Sequence, residues 1–415
     1  MRRIEWGVVR PAWETQVRSE GLVYLDTELP AGGIVKYWRE GPYYEFSAGE
    51  VDELERAVAT IFQMCVDAGD HMIANPDIMR RMGIPEAAFA GIARSWEDEP
   101  PSVYGRFDLR YAGNSEPALA DPGLRMPRLL EFNADTPTSL LESAVIQWRW
   151  FEFTGQGSDQ WNSIHERLVD AWRRQIGLHE RRTGRKVARI HFMFTAEETS
   201  GEDQMNTTYL ADTASQAGYE VEILLAEDVG LGPDGRFYDL RRRHIDVLFK
   251  LYPWEWLVGD RFGVAAVRGL GRPDGTAWIE PVYKMLWSNK GLLPVLWQLF
   301  RDDPQRRPYL LPAYFADDDH DLDSYVVKPL LGREGANITI VHRGQTLATV
   351  PGPYGAEGAV VQEFAPLPDF AGTDGAHHPV LGAWVVDGEP AGLAIRESDG
   401  LVTDNCSFFA PHAIA

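Results

Sequence analysis

Cysteine is nearly absent: Cys65 and Cys406 are the only two in 415 residues. Two thiols cannot build a disulfide framework or a cysteine-rich zinc site, and they point to an intracellular, cytoplasmic compartment. Basic charge is scarce as well. Lys and Arg number 40 against 62 Asp and Glu, a formal net charge of −22 with a sequence pI near 4.9. A balance of that sign speaks against nucleic acid as a partner, whose phosphates need a basic face, and it suits a cationic substrate. Long apolar runs are missing too. No stretch approaches a membrane span, and Met1-Arg2-Arg3-Ile4-Glu5-Trp6 carries no apolar core of signal-peptide length, so a soluble chain with no membrane partner is expected. No repeat, heptad pattern or low-complexity segment occurs.

What is present is enough apolar material, 44% of the chain, for one large unit or two to three domains. Ser47 and Glu50 form a capping-box pair ahead of Leu54, Ala57, Val58, Ile61, Phe62 and Cys65, which keep a helical apolar stripe. A second helix is expected over 85–96. Strands are expected over 102–109 and 128–133, the latter leading into an apolar helix from Ser139 to about Phe153 and a long amphipathic helix over 161–180. The middle changes rhythm: strand 187–194, helix 203–217, strands 219–225 and 245–251. Alternation of that kind with buried-type strands is the pattern of a parallel α/β unit. The last third is rich in β-branched residues, glycine and turns, and reads as antiparallel. The fold class is therefore α/β, in a mixed α+β arrangement.

The segment Lys328-Pro-Leu-Leu-Gly-Arg-Glu-Gly-Ala-Asn337 lies between two apolar runs, Tyr325–Val327 and Ile338–Val341. Gly332 and Gly335 let backbone approach a ligand closely, and Arg333 sits between them. A glycine-rich hairpin with a lysine at its mouth suits polyphosphate, because N–H groups face the oxygens and the ammonium adds a point charge. An exposed hairpin with a loose tip has the same pattern. Lys290, in Ser288-Asn289-Lys290-Gly291, is a second lysine of this kind. Asp108 lies on one expected strand, and Glu131 and Asn133 on another, where spacing of two puts them on one face. An unpaired carboxylate on so apolar a run is costly, so the trio either holds a hard cation such as Mg²⁺ or forms a structural hydrogen-bond network. Thr136, Thr138 and Ser139 bring hydroxyls to a helix start, a place for a carboxylate or phosphate and equally for simple capping. Glu197 and Glu198 lie just past a strand's carboxyl end, where open α/β sheets bind ligands; they offer a seat for an amine or form a solvated acidic pair. Arg396 on a late apolar strand calls for an anion or a carboxylate partner. Gly230 to Gly235 matches G-x-G-x-x-G in form only, since Pro233-Asp234-Gly235 is a turn with no apolar helix after it. The acidic run Asp317 to Asp321 lacks the glycine and distal glutamate of a calcium loop.

Several segments together resemble the synthetase part of the glutathionylspermidine synthase family of ATP-grasp ligases. They are Tyr-Gly-Arg-Phe-Asp (104–108), Glu-Phe-Asn-Ala-Asp-Thr-Pro-Thr-Ser (131–139), Trp254-Glu255-Trp256, Ile279-Glu280-Pro281 through Asn289-Lys290, Lys328 to Asn337, Gln362-Glu363-Phe364 and Ala394 to Ser398. The resemblance spans nearly the whole chain in the family's order. It implies a circularly permuted ATP-grasp fold with a β-rich mobile lid, in which the metal strands precede the phosphate lysines. The expected organisation is a single unit over 1–415, with an N-terminal part to about 180, a parallel subdomain over 181–284, a lid over 285–360 and returning strands over 361–415. No amidase domain with a nucleophilic cysteine is expected.

The resemblance also implies roles. Asp108, Glu131 and Asn133 would coordinate Mg²⁺ with ATP. Lys290, Lys328, Gly332, Arg333 and Gly335 would grip the phosphates, and Gln362, Glu363 and Phe364 would face adenine. Arg106 and Arg396 would be catalytic, Arg106 also lying by the acid's carboxylate. Thr136, Thr138 and Ser139 would receive a peptide or glutathione-like acid, and Glu197 and Glu198 a polyamine-like amine. Leu251 stands after Lys250 where substrate-contacting relatives carry a hydroxyl, so the substrate pair is left open. Two alternatives remain: a non-catalytic nucleotide-binding or regulatory protein, and a kinase-like phosphoryl transferase.

Overall fold

The computed structural model describes residues 1–28, 32–197, 200–372, 375–404 and 406–415. Three sheets carry the site. Their strands are, in chain order, β1 (Tyr104–Arg110), β2 (Arg128–Asn133), β3 (Arg189–Phe194), β4 (Glu220–Leu225), β5 (Val247–Lys250), β6 (Ala277–Ile279), β7 (Ala313–Phe315), β8 (Tyr325–Pro329), β9 (Thr339–His342), β10 (Gln345–Thr349), β11 (Ala359–Glu363), β12 (His378–Val386), β13 (Glu389–Ser398) and β14 (Phe408–Phe409).

The central sheet runs β14-β13-β12-β1-β2 and is antiparallel throughout. Strand alternation sorts its side chains sharply. Phe107, Phe132, Ala383 and Ile395 enter the core on one face, where the Phe107 and Phe132 rings stack at 4.0 Å. The other face carries Arg106, Asp108, Glu131, Asn133 and Arg396. The long helix α1 (Ala48–Ala74) packs into the same core through Leu54, Val58, Ile61, Cys65 and Met72. It begins at the expected capping box, with the Ser47 hydroxyl accepting the Glu50 N–H at 3.3 Å and the Glu50 carboxylate accepting the Ser47 N–H at 2.9 Å.

The second sheet, β6-β5-β3-β4, is wholly parallel, as the alternating pattern predicts. All four residues of β5 are buried, the two-sided burial that helices on both faces of a parallel sheet impose. Helices α2 (Ile164–Thr183) and α3 (Glu202–Gln216) join over this sheet, where Trp172 meets Phe192 edge-on and donates its indole N–H to Thr213 at 2.9 Å. The third sheet, β7-β11-β8-β9-β10, is antiparallel and contains the expected β8–β9 hairpin. Strand β11 runs on to Glu363, so the lid's expected edge at 360 falls inside a strand.

One expected helix is different. Ser139 has φ of 65°, Glu142–Ile146 is a π-helical turn, and regular α-helix covers only Gln147–Thr154. The cause is tertiary: Asn206 of α3 takes the Leu140 N–H at 3.1 Å, and two tyrosines from the N-terminal segment bind Glu142. Among the described residues no helix is long and apolar enough to cross a membrane.

Candidate active site

A cavity of about 230 Å³ lies between the polar face of the central sheet, the lid hairpin and the 136–138 segment. Of the residues singled out in the sequence, it gathers Arg106, Asp108, Glu131, Asn133, Thr136, Thr138, Lys290, Lys328, Gly332, Arg333, Gly335, Phe364 and Arg396.

The carboxylate strands are in register, with Asp108 opposite Glu131 and Arg106 opposite Asn133. Asn133 donates to Asp108 at 3.3 Å and to Glu131 at 3.1 Å. Arg106 Nε donates to Asp108 at 2.8 Å, and Lys290 Nζ lies 2.9 Å from Glu131. Burial opposes ionisation of Glu131, yet the ammonium groups of Lys290 and Lys328 hold its carboxyl far below the usual range. Asp108 moves the other way: burial raises it, Arg106 offsets part of the rise, and Glu131 adds to it. The trio is thus a hydrogen-bond network and also a set of hard oxygen donors on one face. Among the described residues no three His, Cys, Asp or Glu side chains form a metal-holding group by themselves. A cation here would need the Asn133 oxygen and oxygens from outside the protein, the incomplete set that suits Mg²⁺ shared with phosphate.

The two lysines arrive from different elements. Lys290 Nζ donates to the Gly332 carbonyl at 2.6 Å, tying the loop before helix Leu292–Phe300 to the hairpin. Lys328 Nζ donates to Gln362 at 2.7 Å and to the Leu130 carbonyl at 3.1 Å. Burial, helped by Lys290, pushes Lys328 down to about 8, against the pull of Glu131 and Asp108. Gln362 completes the tie by donating to the Leu129 carbonyl at 3.1 Å. The expected adenine segment, 362–364, is divided. The Gln362 amide is committed to Lys328 and β2, Glu363 lies 3.9 Å from Arg128, and only Phe364 of the three lines the cavity.

Arg333 bridges the hairpin to two other elements, donating to Thr136 Oγ1 at 3.0 Å and to Glu255 at 2.6 Å, with its guanidinium 5.6 Å from the Trp256 ring. Arg106 donates to the Thr138 carbonyl at 2.7 Å. Its side chain passes over Gly382, where a Cβ would stand 2.8 Å from Arg106 Cδ. Arg396 donates to the Asp404 carbonyl, while its buried Nε has no hydrogen-bond partner among the described residues.

Three other expected residues are not among those that line the cavity. Ser139 does not line the cavity; its hydroxyl is 3.3 Å from that of Tyr37. Glu197 is exposed and outside the lining, and Glu198 falls outside the described residues. Two carboxylates, Glu142 and Glu202, act electrostatically on Tyr24 and Tyr37, and a third, Asp203, acts on Tyr104. Sequence reasoning missed them, although a carboxylate inside Leu140-Leu141-Glu142-Ser143-Ala144-Val145-Ile146 was a usable signal. It also missed Asp135. That buried carboxylate accepts from Lys250 Nζ at 2.6 Å and from the Trp254 N–H at 2.9 Å, pinning the junction to the carboxyl end of β5.

The architecture is of the glutathione synthetase-like, ATP-grasp type: a solved glutathione synthetase-like effector from Globodera pallida superposes with a TM-score of 0.56 at 10% identity, over 97% of this chain and 96% of that one. The chain belongs to the glutathionylspermidine synthase preATP-grasp family, whose pattern matches residues 5–415. A Haemophilus influenzae protein that carries the provisional name acid–amine ligase is 36% identical over 427 residues, 99% of each chain. Trypanothione synthetase of Crithidia fasciculata is 26% identical over 370 residues, which cover 83% of this chain and 52% of that protein.

Proposed function

We propose that the chain is an ATP-dependent ligase that joins a carboxylate to an amine. The observation that carries this reading is the convergence of Lys290 and Lys328 with Asp108, Glu131 and Asn133 on one side of a single cavity and Arg106 and Arg396 on the same sheet face. A carboxylate and an amine in water form a salt, not an amide. Transfer of the γ-phosphoryl group to a carboxylate oxygen releases ADP and leaves an acyl phosphate. The amine nitrogen then attacks the acyl carbon, the C–O bond to phosphate breaks, and a proton leaves the nitrogen. Catalysis of this kind is positioning and charge neutralisation. Lys290, Lys328 and the hairpin N–H groups hold the phosphates, and Arg106 and Arg396 face the oxygens of the acid. Mg²⁺ held by Asp108, Glu131 and Asn133 would supply neutralisation of phosphate charge. Thr136 and Thr138 receive a peptide-like acid. The chain's formal net charge of −22 favours a polyamine-like cation as the amine.

The test is a matrix of glutathione and other short peptides against spermidine and other polyamines, read as ADP release with product mass. Turnover should require both an acid and an amine. Removing one well-placed donor from such a site costs ~3 kcal/mol of barrier, so Lys328→Ala or Glu131→Ala should lose on the order of 100-fold in rate. Full turnover by either variant would refute the assignment. ATP binding without turnover across the matrix would return the non-catalytic nucleotide-binding reading, and a phosphorylated acid formed as end product would return the kinase-like one.

A further inference from the structure

We infer that Asp108 holds Arg106 away from the acid until metal-bound nucleotide claims Asp108, so that nucleotide and acid are bound cooperatively. The inference rests on the ligase reading above and concerns the regulation of that same site.

The polar face of the central sheet is closed on itself. Arg106 Nε donates to one Asp108 oxygen at 2.8 Å, and Nη2 donates to the other at 3.3 Å. The Asn133 amide nitrogen donates to that second Asp108 oxygen at 3.3 Å and to one oxygen of Glu131 at 3.1 Å. Lys290 Nζ lies 2.9 Å from the remaining Glu131 oxygen. Every carboxylate oxygen of the pair therefore meets a nitrogen, and Asn133 turns its N–H side to both. A hard cation needs the opposite: the Asn133 oxygen turned inward, and carboxylates with no ammonium or guanidinium at the same atoms. The network and a bound cation compete for Asp108 and Glu131.

Breaking the network has a consequence for its cations. Arg106 is 6% exposed and Lys290 9%, and a buried cation stripped of its carboxylate is costly until another anion reaches it. Phosphate can serve Lys290. Arg106 is hung so that the acid can serve it. Its Nη1 donates to the Thr138 carbonyl at 2.7 Å, so release from Asp108 leaves the guanidinium tethered beside the 136–138 segment. The edge set free is Nε with Nη2, a fork that matches a carboxylate. Asp108 thus occupies on Arg106 the very edge that a substrate carboxylate would take.

The charge of the cavity decides what opens the network. Arg106, Lys290, Lys328, Arg333 and Arg396 line it against the carboxylates of Asp108, Glu131 and Glu334. A bare divalent cation meets an excess of positive charge there, whereas one carried by a triphosphate arrives with net negative charge. Metal-bound nucleotide displaces Arg106 from Asp108, and Arg106 passes to the acid. By reciprocity, bound acid strengthens the hold on the metal-bound nucleotide. Asp108 acts on the acid only through Arg106, and in this role it is a positioning residue.

The test is calorimetry on the full chain, with glutathione as the acid and the β,γ-imido analogue of ATP as a nucleotide that transfers no phosphoryl group. Glutathione should bind about 5- to 150-fold more tightly with Mg²⁺ and the analogue present than alone. The analogue with EDTA in place of Mg²⁺ should give no such gain. Asp108→Asn should by itself tighten glutathione binding, toward the affinity that the wild type reaches with Mg²⁺ and the analogue. A second readout needs no acid. The Arg106 Nε–H resonance, identified by its loss in Arg106→Lys, should move upfield when Mg²⁺ and the analogue are added, as an N–H released from a carboxylate does. Equal glutathione affinity with and without the metal-bound analogue would overturn the proposal, as would an unmoved Arg106 resonance or an Asp108→Asn variant that binds glutathione no more tightly than the wild type. A wild type that binds no nucleotide, or no glutathione under any condition, would instead remove the ligase reading for this acid, and the proposal falls with it.

Discussion

Raising the pH from 7 to 9 is expected to weaken ATP binding through Lys328. The residue is 8% exposed, and its ammonium is pushed down to about 8 by burial and by Lys290. The gap from the ordinary 10.5 means that holding this charge costs the fold about 3 kcal/mol at neutral pH, which is hard to explain unless a ligand recovers it. A bound triphosphate supplies the negative charge that burial removed, so in the complex the group returns toward its ordinary value. The sign follows. Below about pH 8 the free protein already carries the proton and binding is insensitive to this group. Above it, binding must take up a proton, and affinity falls by about twofold at pH 8 and about tenfold at pH 9, or ~1.4 kcal/mol. Calorimetry in two buffers of different ionisation heat measures the uptake directly, which should approach one proton per ATP at pH 9. Lys328→Met should bind more weakly at pH 7 and show no such uptake. Uptake near zero in the wild type, or the same uptake in the variant, would refute the reasoning.

Two further outcomes test the scaffold around the site. Lys250→Met leaves Asp135, 1% exposed, without its ion-pair partner, and should destabilise the protein by ~3–5 kcal/mol in urea unfolding. Adding Asp135→Asn to that variant should restore part of the loss; no recovery would mean the pair is not the cause. Gly382→Ala puts a Cβ 2.8 Å from Arg106 Cδ, which should shift the guanidinium off Asp108 and cut kcat on the order of 100-fold with the far-ultraviolet spectrum unchanged. A wild-type rate would show that Arg106 has room to yield.

The legible parts of the molecule are those whose signal is local. Glu131 and Asn133 share a face because strand period is two, and the hairpin from Lys328 is bounded by its own paired strands. The parallel sheet announced itself through apolar strand runs alternating with helices. What escaped depends on partners far apart in the chain. Asp135 and Lys250 are separated by 115 residues, and Glu142 and Tyr37 by 105. Apolar composition marked the segment after Ser139 as a helix, but it could not show that Asn206 would take the Leu140 N–H and that the backbone would widen into a π-turn. The ties of Gln362 were hidden for a similar reason: only the folded lid shows that its amide meets Lys328 and the Leu129 carbonyl.

Asp135 stands between the strand that carries Glu131 and Asn133 and the residues that follow from Thr136, and it is held at both carboxylate oxygens. That anchor divides the chain's tolerance for change. On the proposed ligase reading, sequence drift after it, through the π-turn and the first turn of α3, changes which molecules are joined and leaves the nucleotide half at its post. On that reading, the same division gives a protein engineer a boundary: libraries confined to positions 140–146 and 202–206 would explore new acid and amine pairs with the contacts of Thr136 and Thr138 to the hairpin and Arg106 left as they are.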